Sequence, residues 1–351
     1  MHKSQIVFTC QAESSELCLN ELISAIDGAG LVRWLGGGAG LLEADGDFDG
    51  ISVQLRQRRP IFTRHMFPAD HVIDIDGPGA IDRVTGAVAA LASAMDGVHA
   101  ANKPCSVQIR ALTPGQSPLT PGDISPAASA MLCGMGFTLN VSAPRSIISI
   151  AICGGLIYMG LSDPLSCLSS WPGGMRHYAK YDGQISRAEF KLLEALEACG
   201  LTLVPDAGRR ALDLGAAPGG WTKVLLDMGW RVTAVDPAKL SPALAGQAGL
   251  EHRKTTAQTF LRYADARLYD MIVNDMRMDI KPSSQVMLDA YDLLAGSGHV
   301  IMTFKLPPSK KLAAINKGLE MLSAKYEIMM AKQLFHNRSE ITVVLRKTTG
   351  R

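Results

Sequence analysis

The sequence predicts an α/β protein whose C-terminal half is a largely parallel sheet covered by helices on both faces, preceded by an α+β region. Three observations predict it. From Ser186 onward, β-branched runs alternate with amphipathic runs, the signature of parallel strands joined by crossover helices. A glycine-rich segment at 215–220 joins one of these strands to a helix, and such junctions are where parallel sheets bind ligands. Upstream, strand and helix signals group into two smaller units, set apart by an irregular stretch rich in Ser, Pro and Gly at 163–185.

In the first unit (1–65), residues 5–10 read as a strand. A helix capped by Ser14 or Ser15 runs to about residue 26 with Leu17, Leu19, Leu22 and Ile23 as its apolar stripe, and Gly36, Gly37 and Gly38 break the chain. In the second unit (66–162) we expect strands at 71–75 and 105–112 and helices at 81–95 and 124–133, with a loop at Pro114, Pro118, Pro121 and Gly122. Residues 146–162 carry no charge and approach the length of a spanning helix. Gly154 and Gly155 interrupt them between β-branched flanks, so a buried β-hairpin is expected instead. After the linker, Ser186 and Glu189 fit a capping box opening a helix through Phe190, Leu192, Leu193 and Leu196. Strands then follow at 211–214, 231–235, 270–274 and 299–304, with helices at 221–228, 286–294 and 312–322. Strands near 327–331 and 341–346 are joined by a short connection and should be antiparallel.

Composition bounds the function. A chain of 351 residues, 47% hydrophobic and 19% charged, builds two or three globular domains. The N-terminal apolar run, 6–10, is too short for a signal-peptide core, so no export and a cytoplasmic location are expected. Seven cysteines without a Cys-x-x-Cys pair argue against a disulfide framework or a zinc site. The net charge of +2 announces no polyanionic partner. Residues 301–351 nevertheless hold ten Lys or Arg against three Glu, and Arg56, Arg58, Arg59, Arg64 and His65 make a second basic stretch. Local positive surfaces attract phosphate, although a solvated lysine-rich face gives the same pattern.

The segment ALDLGAAPGGWT at 211–222 carries the chemistry. A dinucleotide site would need Gly-x-Gly-x-x-Gly, but here Ala217 and Pro218 occupy the third and fourth positions. Asp236, 21 residues beyond Gly215, is placed to accept hydrogen bonds from ribose hydroxyls. A cofactor with ribose and adenine but no phosphate, S-adenosylmethionine, fits better than a dinucleotide.

This segment resembles the cofactor loop of the FtsJ-like ribose 2′-O-methyltransferases. Lys191 in SRAEFKLLEA, Asp275 in IVNDM, Lys305 in MTFKLP and Glu340 in NRSEITV match that family's Lys-Asp-Lys-Glu set. The phrases SWPGG, FKLPPSKK and AKQLFHNRSEITV are similar to the large-subunit rRNA ribose methyltransferase M (RlmM) subfamily, closely over 165–347 and more weakly upstream. The resemblance implies a Rossmann-like class I methyltransferase domain with a seven-stranded sheet at 186–351, behind a ferredoxin-like unit at 1–65 and a THUMP-like RNA-binding unit at 66–162. It implies 2′-O-methylation of a cytidine in 23S rRNA. A ribose buried in a finished subunit would be sterically hidden, so naked RNA or an early precursor is the expected substrate; a monomer, with no membrane or metal, is expected. Carried over residue by residue, it gives Ser186, Ala217, Pro218, Gly219, Gly220, Asp236, Thr256 and Asp275 as cofactor contacts. Thr256 stands where the subfamily usually has an acidic residue, and Ala217 where a Cys is commoner.

The residue types suit the reaction. A ribose hydroxyl is a poor nucleophile, so a base must take its proton. Lysine serves only when burial and a neighbouring cation lower its pKa. Lys305 is the candidate base, Lys191 the neighbouring cation, and Asp275 and Glu340 the orienting carboxylates that oppose that shift. Two other readings stay open: a methyltransferase acting on a different RNA site, and a non-catalytic RNA-binding protein on this fold. Base-directed N-methyltransferases often carry Asn/Asp-Pro-Pro-aromatic after the fourth strand, whereas Asn274-Asp275-Met276-Arg277 stands here.

Overall fold

The computed structural model describes residues 2–95, 104–201, 205–206, 208–264 and 268–348; Arg351 of the basic tail lies outside them. The chain divides into two compact units, Met1–Arg176 and His177–Arg351, with the division falling inside the irregular stretch at 163–185.

The N-terminal unit holds two sheets. In the first, β1 (Lys3–Thr9), α1 (Ser15–Ala25), β2 (Gly30–Gly36), β3 (Ala39–Asp45), α2 (Phe48–Gln57) and β4 (His65–Pro68) follow the ferredoxin-like βαββαβ sequence. Strand order is β2-β3-β1-β4, with every pairing antiparallel. The sheet closes at Pro68 rather than at residue 65, because Phe67 and Met66 pair with Val7 and Phe8. Helix α1 forms as the sequence predicts, but its inward side is Cys18 and Leu22, while Ile23 is 47% exposed. The Glu21 carboxylate sets this rotation by accepting backbone N–H bonds from Ile61, Phe62 and Thr63. Residues four apart share a face, so Cys18 and Leu22 turn inward together. The basic stretch does not form one surface. Arg58 and Arg59 are exposed, but Arg64 and His65 are buried in the sheet that β4 completes, and Arg64 donates to Gln11 Oε1 at 3.0 Å.

In the second sheet, β5 (His71–Asp74), α3 (Ala80–Ala94), β6 (Pro104–Ala111), α4 (Pro121–Gly134), β7 (Thr138–Leu139), β8 (Ser146–Cys153) and β9 (Leu156–Ser162) give the order β5-β9-β8-β6-β7. The uncharged run is an antiparallel hairpin, β8–β9, turning at Gly154 (φ 58°). Ile148, Ile150 and Ile152 pack beneath Val84 and Val88 of α3 and Ile124 and Ala128 of α4. No helix among the described residues is long and apolar enough to cross a membrane. On the opposite face of this sheet, Leu112, Ala151 and Tyr158 pack with Val7, Leu41 and Phe67 of the first.

The C-terminal unit contains α5 (Ala188–Ala198), β10 (Arg210–Leu214), α6 (Gly220–Asp227), β11 (Arg231–Val235), β12 (Leu250–Arg253), α7 (Ala257–Tyr263), β13 (Tyr269–Asn274), α8 (Ile280–Asp289), β14 (Leu294–Lys305), α9 (Lys311–Ser323), β15 (Tyr326–Lys332) and β16 (Glu340–Lys347). The seven-stranded sheet has the order β12-β11-β10-β13-β14-β16-β15. Its first five strands are parallel, and β16 runs antiparallel to both its neighbours. This is the Rossmann-like arrangement that the alternation implies. Two elements escape the sequence reading: β12 is a short polar edge strand with no buried residue, and α7 spans seven residues. Helix α8 begins at Ile280 rather than 286, because its first turn tolerates Pro282 and buries Ser283 and Ser284 in place of apolar residues.

Candidate active site

The loop at 215–220 leaves the C-terminal end of β10, the central strand of the parallel set. Gly215 (φ 79°) lies so close to Met276 that a Cβ would come within 2.3 Å of its Cγ. A Cβ on Gly220 would come equally close, 2.3 Å, to Ser186 Oγ, so glycine here lets α6 start against the N-terminus of α5. The Ala217–Pro218 peptide is cis. Trp221 Nε1 donates to Ala188 O at 2.7 Å, joining α6 to α5. Beneath the loop, Asp213 is fully buried and accepts from Thr222 Oγ1 at 2.6 Å; burial pushes its carboxyl up to about 7.

Asp236 follows β11 directly. Its carboxylate accepts from Ala217 N at 3.1 Å and Ala238 N at 2.7 Å, so it already shapes the loop. Ser186 forms half of the expected capping box. Its backbone N–H donates to Glu189 Oε1 at 2.9 Å, while its hydroxyl accepts from Ala188 N rather than from Glu189 N. Thr256 is exposed and caps α7, accepting from Thr259 N at 3.2 Å. The loop 215–220 holds no cation. Ala217 stands where the pyrophosphate-binding fingerprint needs its second glycine, so the loop suits a ribose-bearing cofactor without phosphate better than a dinucleotide.

Lys191, Asp275, Lys305 and Glu340 come together from four separate elements. Asp275 follows β13, Lys305 ends β14, and Glu340 starts β16 directly opposite Lys305 in the antiparallel register. Lys191 reaches in from α5. Lys305 Nζ lies 2.5 Å from both Asp275 Oδ1 and Glu340 Oε2. Lys191 Nζ lies 3.2 Å from Asp275 Oδ2 and 2.5 Å from Glu340 Oε1. Each lysine therefore holds both carboxylates, and the four charges cancel. Burial would lower the Lys191 ammonium and raise the Asp275 carboxyl. The paired charges outweigh it, so Lys191 stands above the ordinary lysine value and Asp275 below the ordinary carboxylate value. The cation expected to help depress Lys305 is thus itself held charged by the carboxylates.

The sequence reading missed Thr303, whose hydroxyl donates to Asp275 Oδ1 at 2.6 Å. Its signal was available: it stands two residues before Lys305, on the same face of β14. It also missed Glu194, a buried residue on α5 that accepts from the backbone N–H groups of Phe335 and His336 at 2.8 and 2.9 Å.

Residues 184–300 match the FtsJ-like methyltransferase family. A ribosomal RNA large subunit methyltransferase M of Halorhodospira halophila is 34% identical over 186 residues, covering 52% of this chain and 52% of that protein. One from Azoarcus is 34% identical over 189 residues, with 50% of each chain covered. The chain spans about half the length of the curated relatives it matches. Among solved structures, TrmN from Thermus thermophilus aligns over 99% of this chain and 100% of that one, at 16% identity and a TM-score of 0.38. Over residues 184–300 this chain is thus similar to the FtsJ-like methyltransferases.

Proposed function

We propose that this chain transfers a methyl group from S-adenosylmethionine to the 2′-hydroxyl of a cytidine in 23S rRNA, with Lys305 as general base. The observation that carries this reading is the convergence of Lys191, from α5, with Asp275, Lys305 and Glu340 at strand ends of the sheet whose β10 leads into the loop 215–220. The family match over 184–300 and the printed names of the curated relatives support it. Bound against Ser186, Ala217, Pro218, Gly219, Gly220, Asp236, Thr256 and Asp275, the cofactor supplies an activated methyl on sulfur.

The chain's own residues supply alignment and proton transfer. Lys305 Nζ spends two of its three outward positions on Asp275 and Glu340. The third is an N–H when the amine is charged and a lone pair when it is neutral. When the 2′-oxygen is methylated, that lone pair would take the hydroxyl proton. Lys191, held charged, keeps both carboxylates partnered while Lys305 cycles between its two forms. Thr303 fixes the Asp275 carboxylate in the orientation that both lysines require.

The test is tritiated methyl transfer from S-adenosylmethionine to protein-free 23S rRNA, wild type beside Lys305→Ala, with the product nucleotide mapped. A single 2′-O-methylated cytidine made by wild type, with transfer falling by about 10²–10⁴ in the variant while cofactor binding survives, is expected. Near-normal transfer by Lys305→Ala removes it as the base. Cofactor binding without transfer to any RNA favours the non-catalytic reading.

A further inference from the structure

The turn before β16 is held more firmly than a simple strand connection needs. Glu194 Oε1 and Oε2 accept from Phe335 N and His336 N. Asn337 Oδ1 accepts from Leu334 N at 2.8 Å and from Thr342 Oγ1 at 3.1 Å. A buried carboxylate and a buried amide thus fix the backbone that carries two aromatic rings. Those rings are half-buried, not sealed inside. His336 lies 5.2 Å from Phe190 and 5.5 Å from Tyr178, and Phe335 lies 4.6 Å from the exposed His177 in an edge-to-face contact.

Helix α5 ties this aromatic cluster to the lysine–carboxylate cluster. Glu194 lies one turn beyond both Phe190 (i+4) and Lys191 (i+3) on α5, so it neighbours each of them on the helix surface. Phe190 meets His336, Lys191 meets Asp275 and Glu340, and Glu194 grips the turn. Glu340 itself follows His336 by four residues. Lys180 and Arg338, close by in sequence, are exposed, and no carboxylate stands between 332 and 339; the Tyr178 hydroxyl donates to Glu197 Oε2 at 2.8 Å. Half-buried rings beside the lysine–carboxylate cluster, with exposed cations near them in sequence, match unpaired RNA, whose bases stack on aromatic faces while cations take the phosphates.

We propose that His177, Tyr178, Phe335 and His336 form a stacking platform for an unpaired base of the RNA beside the nucleotide being methylated. The proposal rests on the RNA-modifying reading above. Glu194 is its positioning residue, and Arg338 its phosphate contact.

The test is equilibrium binding of the full chain to an unstructured single-stranded RNA oligonucleotide carrying 2-aminopurine, whose fluorescence is quenched on stacking. Cofactor affinity is measured in parallel. His177→Ala and Phe335→Leu are expected to weaken RNA binding on the order of tenfold and to abolish the quench, with cofactor affinity unchanged. Phe335→Trp, which keeps a ring, should retain both. Arg338→Gln should lower the salt slope of binding by about one while leaving the quench in place. Wild-type affinity and quench in both His177→Ala and Phe335→Leu overturn the platform. Loss in Phe335→Trp equal to that in Phe335→Leu also overturns it, because the turn's packing then accounts for the effect. Methyl transfer is not the readout, so an absence of transfer by wild type would refute the catalytic reading without deciding this one.

Discussion

In the C-terminal unit, Lys191 and Lys305 each hold both Asp275 and Glu340. In the N-terminal unit, Ser106, Gln108 and Ser149 are more deeply buried, yet their side-chain oxygen and nitrogen atoms meet no protein partner among the described residues. In the first set Asp275, Lys305 and Glu340 stand at strand ends and Lys191 on α5, where strands and helices bring charged side chains to a common point. The second lies mid-strand on β6 and β8, at positions whose neighbours Ile148 and Ile150 face the other side. Charged groups demand partners because an unpaired buried charge is far more costly than an unpaired amide. Full pairing in one region and its lack in the other separate a centre shaped for chemistry from a polar face between packed layers.

Removing one member of the paired set should have the largest effect on stability. Glu340→Leu leaves two ammonium groups facing one carboxylate, and should lower unfolding free energy in urea by about 3 kcal/mol. A loss below ~0.5 kcal/mol would mean that solvent already screens the cluster. Asp236→Ala removes a carboxylate that binds two loop N–H groups; calorimetry should show cofactor affinity weakened by about 1–3 kcal/mol. Unchanged affinity would exclude Asp236 from the cofactor site.

Asp213 gives a pH test confined to the C-terminal unit. Its folded value of about 7 lies above the ordinary 3.8, so between these values the folded chain holds a proton that the unfolded chain has released. The contribution is full below 3.8 and is lost as pH rises to about 7. Wild-type stability should therefore fall between pH 5 and pH 8 more steeply than that of Asp213→Asn, whose side-chain oxygen still accepts from Thr222. Parallel urea midpoints in the two proteins would rule this out. The smallest effect belongs to the N-terminal unit. Gln108→Leu removes two unpartnered atoms at similar volume and should change stability by less than about 1 kcal/mol, in either direction. A loss of several kcal/mol would show that the amide is bridged by bound water.

The loop 215–220 and Asp275, Lys305 and Glu340 were legible because each stands at a strand end flanked by apolar strand residues, and Lys191 because it follows the helix start at Ser186, local patterns that survive in one dimension. Ser186 with Glu189 was half legible: the carboxylate caps as expected, but the hydroxyl bonds elsewhere. Strand β12 and helix α7 were not, because an edge strand with no buried residue and a seven-residue helix leave no apolar period. The inward side of α1 was misread because the bonds from 61–63 to Glu21, 40 or more residues away in sequence, set its rotation. The basic stretch at 56–65 dissolved once β4 drew Arg64 and His65 into the sheet.

The sequence by itself determined the alternation of strands and helices, the glycine loop and the residue types at strand ends, because these follow from periodicity and local backbone need. Only the tertiary structure decided that Lys191 is held charged, that Thr303 and Glu194 support their neighbours, and that Gln108 is buried without a protein partner among the described residues. Each of those facts depends on distances between residues far apart in the chain, and pairing energies follow distance and burial rather than sequence order.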